Sequence, residues 1–321
     1  MNLQTKIPLQ PQRFNQIDYS SKVLLLGSCF SENIGEKFQY FKFQSLQNPF
    51  GILFQPLAIE KLITNAINQK EYSEDDIFFL NEHWHCFDAH SRLSNPSKEE
   101  LLAQLNENIS QTYDFLKEAS HIIITLGTSW VYRHIETDQI VANCHKVPQK
   151  KFLKELLSVD TISESLEAIV SLVTSINPDI HFIFTVSPVR HIKDGYVENT
   201  LSKSHLITAI HNLINRNSEI ENRQLAYFPS YEIVMDELRD YRFYNEDMLH
   251  PNQLAIDYIW EKFTSVWVHQ NSEAIMGEVD AIQKGLAHRP FNAKSDAHLK
   301  FTQQLEKRVL KLQKALPGLS F

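Results

Sequence analysis

The sequence predicts an α/β protein in which a parallel β-sheet is flanked by helices and followed by a helical C-terminal extension. Short apolar runs alternate with segments of helical periodicity through most of the chain, which is typical of a sheet covered on both faces. The runs are apolar throughout, as expected for strands that are buried on both sides. Residues 271–321 are instead polar and rich in Lys, Glu and Gln. We therefore predict an α/β domain over residues 1–270 and a helical extension over residues 271–321.

The individual elements follow from the same periodicities. Four apolar runs closed by Gly, Ser or Pro are predicted strands: Val23–Leu26, His121–Ser129, His181–Ser187 and Leu225–Phe228. Six segments with apolar residues at helical spacing are predicted helices: Ser31–Lys42, Gln55–Gln69, Lys98–Lys117, Thr161–Ile176, Leu201–Ile214 and Asn252–His269. Because open parallel sheets bind ligands outside the carboxyl ends of their strands, we expect the site in the loops that follow the four strands.

The composition disfavours several classes of protein: nucleic-acid-binding, membrane-spanning and disulfide-stabilised ones. The chain has 321 residues, 43% of them hydrophobic, and a formal net charge of −8, which disfavours the long basic surface of a nucleic-acid-binding protein. No apolar run approaches the roughly 20 residues of a membrane helix, and the N-terminus has no apolar signal region. Three cysteines cannot all pair, which favours free thiols in a reducing compartment. We expect a cytoplasmic protein with no nucleic-acid or membrane partner.

The segment "KVLLLGSCFSENIGEKF" places Ser28 and Cys29 between the first strand and the first helix. It has neither the closely spaced glycines of a dinucleotide loop nor the Gly-Lys-Ser/Thr of a P-loop, so nucleotide binding by those routes is disfavoured. At a helix N-terminus, backbone N–H groups favour an anion and can lower a thiol pKa, which suits a nucleophile. The alternative is structural: Ser28 as an N-cap and Cys29 as a small buried residue.

A second segment, "RFYNEDMLHPNQLAIDYIW", supplies a candidate base. Pro251 suits the first turn of the following helix, which leaves His250 on the entering loop. Asp247 precedes His250 by three residues, a spacing that lets the carboxylate bond one ring nitrogen and orient the imidazole. The structural alternative is a helix-capping Asp and a surface His.

Six blocks in order resemble the GSCFA-domain family within the SGNH/GDSL hydrolase superfamily: "GSCFSENIG", "NPFGILFQP", "TLGTSWVY", "VANCHKVP", "SPVRH" and "YFPSYEIVMDELRDYRFYNEDMLHPN". The resemblance spans roughly Val23 to Phe263 and does not include the extension. It implies a three-layer, flavodoxin-like fold of the SGNH hydrolase type. It also implies hydrolysis or transfer of an acyl group.

The resemblance assigns roles to individual residues. Aligned on its glycine, the hydrolases' Gly-Asp-Ser places Cys29 at the nucleophile, with Ser28 as the alternative. Their Gly-x-Asn-Asp block, whose Asn donates to the oxyanion, reads "GTSW" here, which leaves Gly127 and the weaker donor Ser129. Backbone N–H groups of Cys29 and Phe30 and the side chains of two asparagines are further candidates for oxyanion or substrate binding: Asn48 and Asn143.

Two further stretches belong to the candidate site or its surroundings. Arg190 and His191 of "SPVRH" follow the third predicted strand and can hold a carboxylate, a phosphate or a sugar hydroxyl, the alternative being a surface ion pair and a structural His. The cluster "HWHCFDAHS", with Cys144 and His145, has zinc-ligand types without zinc-ligand spacing, so we expect a substrate-lining loop and no metal. The charged run "MDELRDYRFYNED" is expected to form ion pairs along a helix face.

These observations predict an acyl hydrolase or acyltransferase acting on an ester or thioester of a small molecule or carbohydrate. Cys29 or Ser28 would be the nucleophile and His250, oriented by Asp247, the base. No cofactor is expected, and acyl-CoA is a candidate co-substrate. The alternative is a noncatalytic binding or scaffold protein that keeps the fold. A homo-oligomer through the heptad-like helix of residues 299–316 is a further expectation.

Overall fold

The computed structural model describes residues 5–216 and 224–321. Within these ranges lie ten strands: β1 (Lys22–Gly27), β2 (Gln44–Gln47), β3 (Ile77–Leu80), β4 (His83–Cys86), β5 (His121–Leu126), β6 (Trp130–His134), β7 (Gln139–Val141), β8 (Phe152–Leu156), β9 (His181–Val186) and β10 (Leu225–Tyr227). The same ranges hold nine α-helical segments: α1 (Cys29–Tyr40), α2 (Pro56–Ile67), α3 (Lys98–Glu118), α4 (Val159–Ile176), α5 (Tyr196–Arg216), α6 (Ser230–Glu232), α7 (Gln253–Trp267), α8 (Glu273–Ala287) and α9 (Asp296–Ala315).

Five strands form the central sheet in the spatial order β2-β1-β5-β9-β10, and all of their pairings are parallel. Counted by their own succession this order is 2-1-3-4-5, the doubly wound arrangement of flavodoxin-like folds. The chain crosses from one side of β1 to the other between β2 and β5, so the topological switch point lies between β1 and β5. The predicted α/β fold with a helix-flanked parallel sheet is confirmed.

Both faces of the sheet are covered. On β1, Leu24 and Leu26 pack into a core formed with α2, α3, α4 and α5, whereas Val23 and Leu25 pack on the opposite side against α1 and α7. Side chains of a strand alternate between faces, so each strand needs apolar residues at consecutive positions to fill both cores. This explains why the strand sequences carry no alternation of apolar and polar residues.

Three features differ from the sequence-based prediction. β2 was not predicted, because "QSLQ" is a polar edge strand. Also unpredicted was the small antiparallel sheet β7-β6-β8, which follows the loop after β5. The charged run before His250 is not one helix face: Ile233–Glu237 is a π-helical turn, and the helix ends there. Glu237 is buried and accepts from Lys262 Nζ at 3.1 Å rather than facing solvent.

The C-terminal extension is helical, as predicted, and forms a hairpin of α8 and α9. Four buried side chains make its own small core: Val279, Ile282, Leu305 and Leu312. Polar contacts attach the hairpin to α1, since the Tyr40 hydroxyl donates to Asp280 Oδ1 at 2.9 Å and Gln283 Nε2 donates to the Tyr40 carbonyl at 3.1 Å. Across the two described ranges, no helix combines the length and apolar character needed to cross a bilayer.

Candidate active site

The turn after β1 is fixed by close backbone packing. Gly27 has φ of +134°, and a Cβ there would overlap the Thr125 carbonyl oxygen of the neighbouring strand β5, so glycine is required. Asn48 Oδ1 accepts from the Gly27 N–H at 2.9 Å, and the Ser28 N–H donates to the Thr125 carbonyl at 3.0 Å. The chain therefore leaves the sheet at the switch point and enters α1 at Cys29.

Ser28 and Cys29 have different surroundings. Ser28 is fully buried, and its Oγ caps α1 by accepting from the Phe30 N–H at 3.3 Å. Cys29 is half-buried and lines a cavity of about 760 Å³. Burial and the nearby Glu32 carboxylate raise the pKa of the Cys29 thiol, while Lys203 and the N–H groups at the start of α1 oppose that rise. The thiol, and not the hydroxyl, faces the cavity.

Asp247 and His250 form the pair that their spacing predicted. Asp247 Oδ2 lies 2.6 Å from His250 Nδ1, and Asp247 Oδ1 accepts from the N–H groups of Leu249 at 2.8 Å and His250 at 3.0 Å. These hydrogen bonds hold the pKa of the Asp247 carboxyl at about 2. A carboxylate can only accept, so Nδ1 carries a proton, and in the neutral form of the ring Nε2 keeps its lone pair. This is the tautomer that a general base requires.

The cavity brings most of the predicted residues together. It lies at the carboxyl edge of the sheet, between the turn after β1, the loop after β9 and the loop before α7. Six predicted site residues line it: Cys29, Asn143, Arg190, His191, Asp247 and His250. Apolar side chains from β6, β7 and the loop before α2 form much of the remaining wall: Phe54, Val131 and Val141.

Comparison with protein-family models identifies the chain. The GSCFA family model matches residues 22–263, and the model for the C-terminal domain of GSCFA domain proteins matches residues 279–321. The chain belongs to the GSCFA family. The first match includes Cys29, Asp247 and His250, and the second includes all of α9. No curated protein matched the chain.

Besides Ser28, three predicted residues of this GSCFA protein are not part of the cavity wall. The Gly127 N–H donates to the Phe54 carbonyl at 2.8 Å, so it is already engaged. Ser129 is fully buried, and its Oγ lies 3.2 Å from the Ser202 carbonyl, which accepts from it. Asn48 is buried and holds Gly27 through its Oδ1. The structure thus places these residues where they fix the turn after β1 and the loop after β5.

Arg190 and His191 lie beside Asp247 and His250. The Arg190 N–H donates to the Leu249 carbonyl at 3.2 Å, and its guanidinium donates to the Met248 carbonyl at 3.3 Å, which ties the loop after β9 to the loop that carries His250. Burial, with the charge of Lys203, lowers the pKa of His191 to about 3. The His191 imidazole is therefore neutral at physiological pH.

Lys203 of α5 was not predicted as part of the site. It is fully buried, and its Nζ donates to the Gly127 carbonyl at 2.6 Å and the Ser187 carbonyl at 2.7 Å, at the ends of β5 and β9. Burial lowers its pKa to about 7, while the charge of the Cys29 thiolate favours the protonated form. The sequence contained one sign of this burial: Lys203 shares the helical spacing of the buried residues of α5 and falls between Asn199 and Leu206.

Histidines of the "HWHCFDAHS" segment and the neighbouring His145 make hydrogen bonds within the fold. His83 and His85 lie on β4 of the hairpin β3-β4, and both ring nitrogens of His85 are used, on Ser94 Oγ at 2.6 Å and the Leu80 carbonyl at 2.9 Å. His145 Nε2 bonds the Cys86 carbonyl at 2.7 Å. In the part of the chain that the structure describes, no three His, Cys, Asp or Glu side chains are grouped so that they could hold a metal ion.

Proposed function

We propose that this GSCFA protein is an acyl hydrolase or acyltransferase of the SGNH type, with Cys29 as nucleophile and His250, oriented by Asp247, as base. One observation carries the proposal: Cys29, Asp247 and His250 line one cavity at the switch point of a parallel sheet, with Asp247 Oδ2 2.6 Å from His250 Nδ1. Open α/β sheets bind ligands at this position. The chemistry needs a nucleophile, a base and an orienting acid, and Cys29, His250 and Asp247 would fill these roles.

The reaction would begin with transfer of the Cys29 proton to His250 Nε2. The thiolate then adds to the carbonyl carbon of an ester or thioester, and the carbonyl oxygen becomes an oxyanion. As the tetrahedral species collapses, the bond to the leaving group breaks, and the imidazolium returns its proton to the leaving alkoxide or thiolate. Water or an acceptor hydroxyl, deprotonated by His250, then adds to the thioester carbonyl. The bond to Cys29 sulfur breaks, the acyl group leaves on the acceptor, and the thiolate recovers its proton from His250.

The cavity supports an acyl substrate of moderate size. Its apolar wall, with Phe54 and Val131, suits an acyl chain, while Arg190 at its edge suits a polar or anionic leaving group. Esters of small molecules or carbohydrates fit this description, and acyl-CoA is a candidate donor. A cytoplasmic location without a nucleic-acid partner stays part of this proposal.

A noncatalytic binding protein is the alternative, and the state of the thiol favours it. Burial raises the pKa of Cys29, so the resting thiol is protonated. A cavity with a protonated thiol can hold a ligand without reacting with it. The two functions differ in whether the thiol becomes acylated.

Acylation of the full-length protein by 4-nitrophenyl acetate tests the proposal, with release of nitrophenolate followed by absorbance and the acetylated residue located by mass spectrometry. We expect one acetyl group on Cys29, lost in Cys29→Ala and strongly slowed in His250→Ala. Cys144→Ala is the matched control, since Cys144 is also half-buried and lines the same cavity. Acetylation that persists at the same rate in both Cys29→Ala and His250→Ala would overturn the mechanism.

A further inference from the structure

Gln55 lines the cavity that holds Cys29 and has a buried side-chain amide. The residue is 4% exposed and lines the cavity, and neither Nε2 nor Oε1 has a hydrogen-bond partner among the described residues. A buried amide without partners is costly, and native proteins satisfy most such groups. A buried, unpaired amide in a residue that lines a cavity therefore points to a ligand that completes its hydrogen bonds.

The backbone fixes Gln55 beside the nucleophile turn. Gln55 precedes Pro56 at the N-terminus of α2, and its side chain does not cap that helix. The carbonyl of the preceding residue, Phe54, accepts from the N–H groups of Gly127 at 2.8 Å and Thr128 at 3.0 Å. This anchors the segment to the loop after β5, which is the strand paired with β1.

His191 supplies a second unpartnered group in the same region. Its Nε2 is buried without a partner among the described residues, and it lies 3.5 Å from where a Cβ on Gly127 would be. Gly127 lies between this ring nitrogen and two other groups, because a Cβ built on it would also be 3.3 Å from Ser28 Cβ and 3.1 Å from the Phe54 carbonyl oxygen. The ring also packs edge-on against Phe54 at a centroid distance of 5.8 Å. His191 Nε2 thus lies among the backbone segments that carry Cys29 and Gln55.

The residues that the sequence suggested as oxyanion donors are engaged elsewhere. The Gly127 N–H and the Ser129 hydroxyl both donate to carbonyls of the protein. We propose that Gln55 Nε2 and His191 Nε2 instead donate to the carbonyl oxygen of the acyl substrate as it becomes an oxyanion. This assignment rests on the proposed acyl-transfer function and makes Gln55 a catalytic residue. A neutral imidazole can act in this way by carrying its proton on Nε2.

Two reactions of Cys29 separate this role from a structural one. Acylation by 4-nitrophenyl acetate passes through an oxyanion, whereas alkylation by iodoacetamide displaces iodide and forms none. We expect Gln55→Met to slow acylation of Cys29 by about 10²- to 10³-fold, the usual effect of removing one oxyanion donor, and to leave its alkylation rate unchanged. Because Met has a similar shape and no buried amide, the melting temperature should not fall.

Two further variants complete the experiment. Gln104→Met is the control, since Gln104 is exposed on α3 and does not line the cavity, and it should change neither rate. His191→Phe keeps the packing on Phe54 and should also slow acylation selectively.

If the wild-type protein acylates on Cys29 and Gln55→Met does so equally fast, the inference is wrong while the proposed function stands. Equal loss of acylation and alkylation would assign Gln55 a structural role and overturn the inference. A wild-type protein that is alkylated but never acylated on Cys29 would overturn the proposed function, and this inference with it.

Discussion

Lys203 shows how burial turns an ordinary side chain into part of a site. Helix α5 buries positions at helical spacing, and Lys203 shares that stripe with Leu206 and Ile210. Its ammonium is held by two carbonyl oxygens at the ends of adjacent strands, and its charge opposes the rise of the Cys29 pKa. A cation in a low-dielectric interior acts more strongly on a nearby thiolate than a surface cation does.

Replacing Lys203 by Met should therefore slow the reaction of Cys29 near neutral pH. With a pKa of about 7, Lys203 is charged in part of the molecules near neutral pH, and the Cys29 thiolate favours that charged form. Its loss removes a group that favours the thiolate, and we expect alkylation to slow by up to about tenfold, equivalent to about one unit in the thiol pKa. The measurement is the iodoacetamide rate of Cys29 as a function of pH, whose midpoint should move upward. Lys193→Met is the matched control, because Lys193 lines the same cavity but is exposed. An unchanged midpoint in Lys203→Met would contradict the electrostatic role.

Residues at the ends of elements could be predicted, whereas residues defined by tertiary surroundings could not. Cys29 and His250 each adjoin a recognisable helix start, so their positions follow from local sequence. Gln55 also precedes a helix, but the role proposed for it rests on an amide that has no partner among the described residues. That property depends on surrounding residues that are distant in sequence. The buried environment of Lys203 likewise needs the packed positions of β5 and β9.

At the scale of elements, strands with apolar sequences were predicted close to their observed bounds. β9 was expected over His181–Ser187 and spans His181–Val186, because both faces of the strand are buried. β2 is an edge strand whose residues "QSLQ" are all at least partly exposed, so hydrophobicity gives no signal for it. It pairs in parallel with β1, with Lys22 opposite Gln44 and Leu25 opposite Gln47.

The hairpin of α8 and α9 gives a test at this scale. A Cβ on Gly285 would lie 2.8 Å from Leu305 Cδ1, whereas a Cβ on Gly277 of the same helix meets nothing within 4 Å. We expect Gly285→Leu to separate the two helices and to destabilise the hairpin by about 1 to 3 kcal/mol, as overpacking commonly does.

Gly277→Leu is the matched control and should be neutral or stabilising, because leucine favours the helix over glycine. Limited proteolysis of the connection at residues 288–295 measures the effect, with faster cleavage expected only in Gly285→Leu. Equal cleavage of the two variants would show that α8 and α9 do not depend on this contact.

For the whole molecule, buried histidines link stability to pH. Burial lowers the pKa of His121 and His145 to about 4 and that of His191 to about 3, below the ordinary value of about 6.5. The unfolded chain therefore takes up protons between about pH 6.5 and pH 4 that the folded chain does not. Their contribution to stability is complete above pH 6.5 and is lost progressively as the pH falls through this window.

We accordingly expect the free energy of unfolding to decline on acidification, by roughly 3 kcal/mol for each of His121 and His145 by about pH 4. Urea denaturation at a series of pH values measures the slope. His145→Gln, which can still donate to the Cys86 carbonyl, should reduce the slope by the contribution of one proton. Exposed His288→Gln should leave it unchanged. A slope unaltered in His145→Gln would contradict the assignment of a buried neutral imidazole.

The claim that His250 activates Cys29 is tested most directly by the alkylation rate of each cysteine as a function of pH. The rates are resolved by mass spectrometry in the wild-type protein and in His250→Ala. We expect Cys29 to react faster than Cys86 and Cys144 near neutral pH. Its alkylation should slow by roughly tenfold or more in His250→Ala, in keeping with general-base catalysis. The other two cysteines should not change. A Cys29 that reacts no faster than Cys144, or at the same rate without His250, would contradict the claim that this thiol is an activated nucleophile.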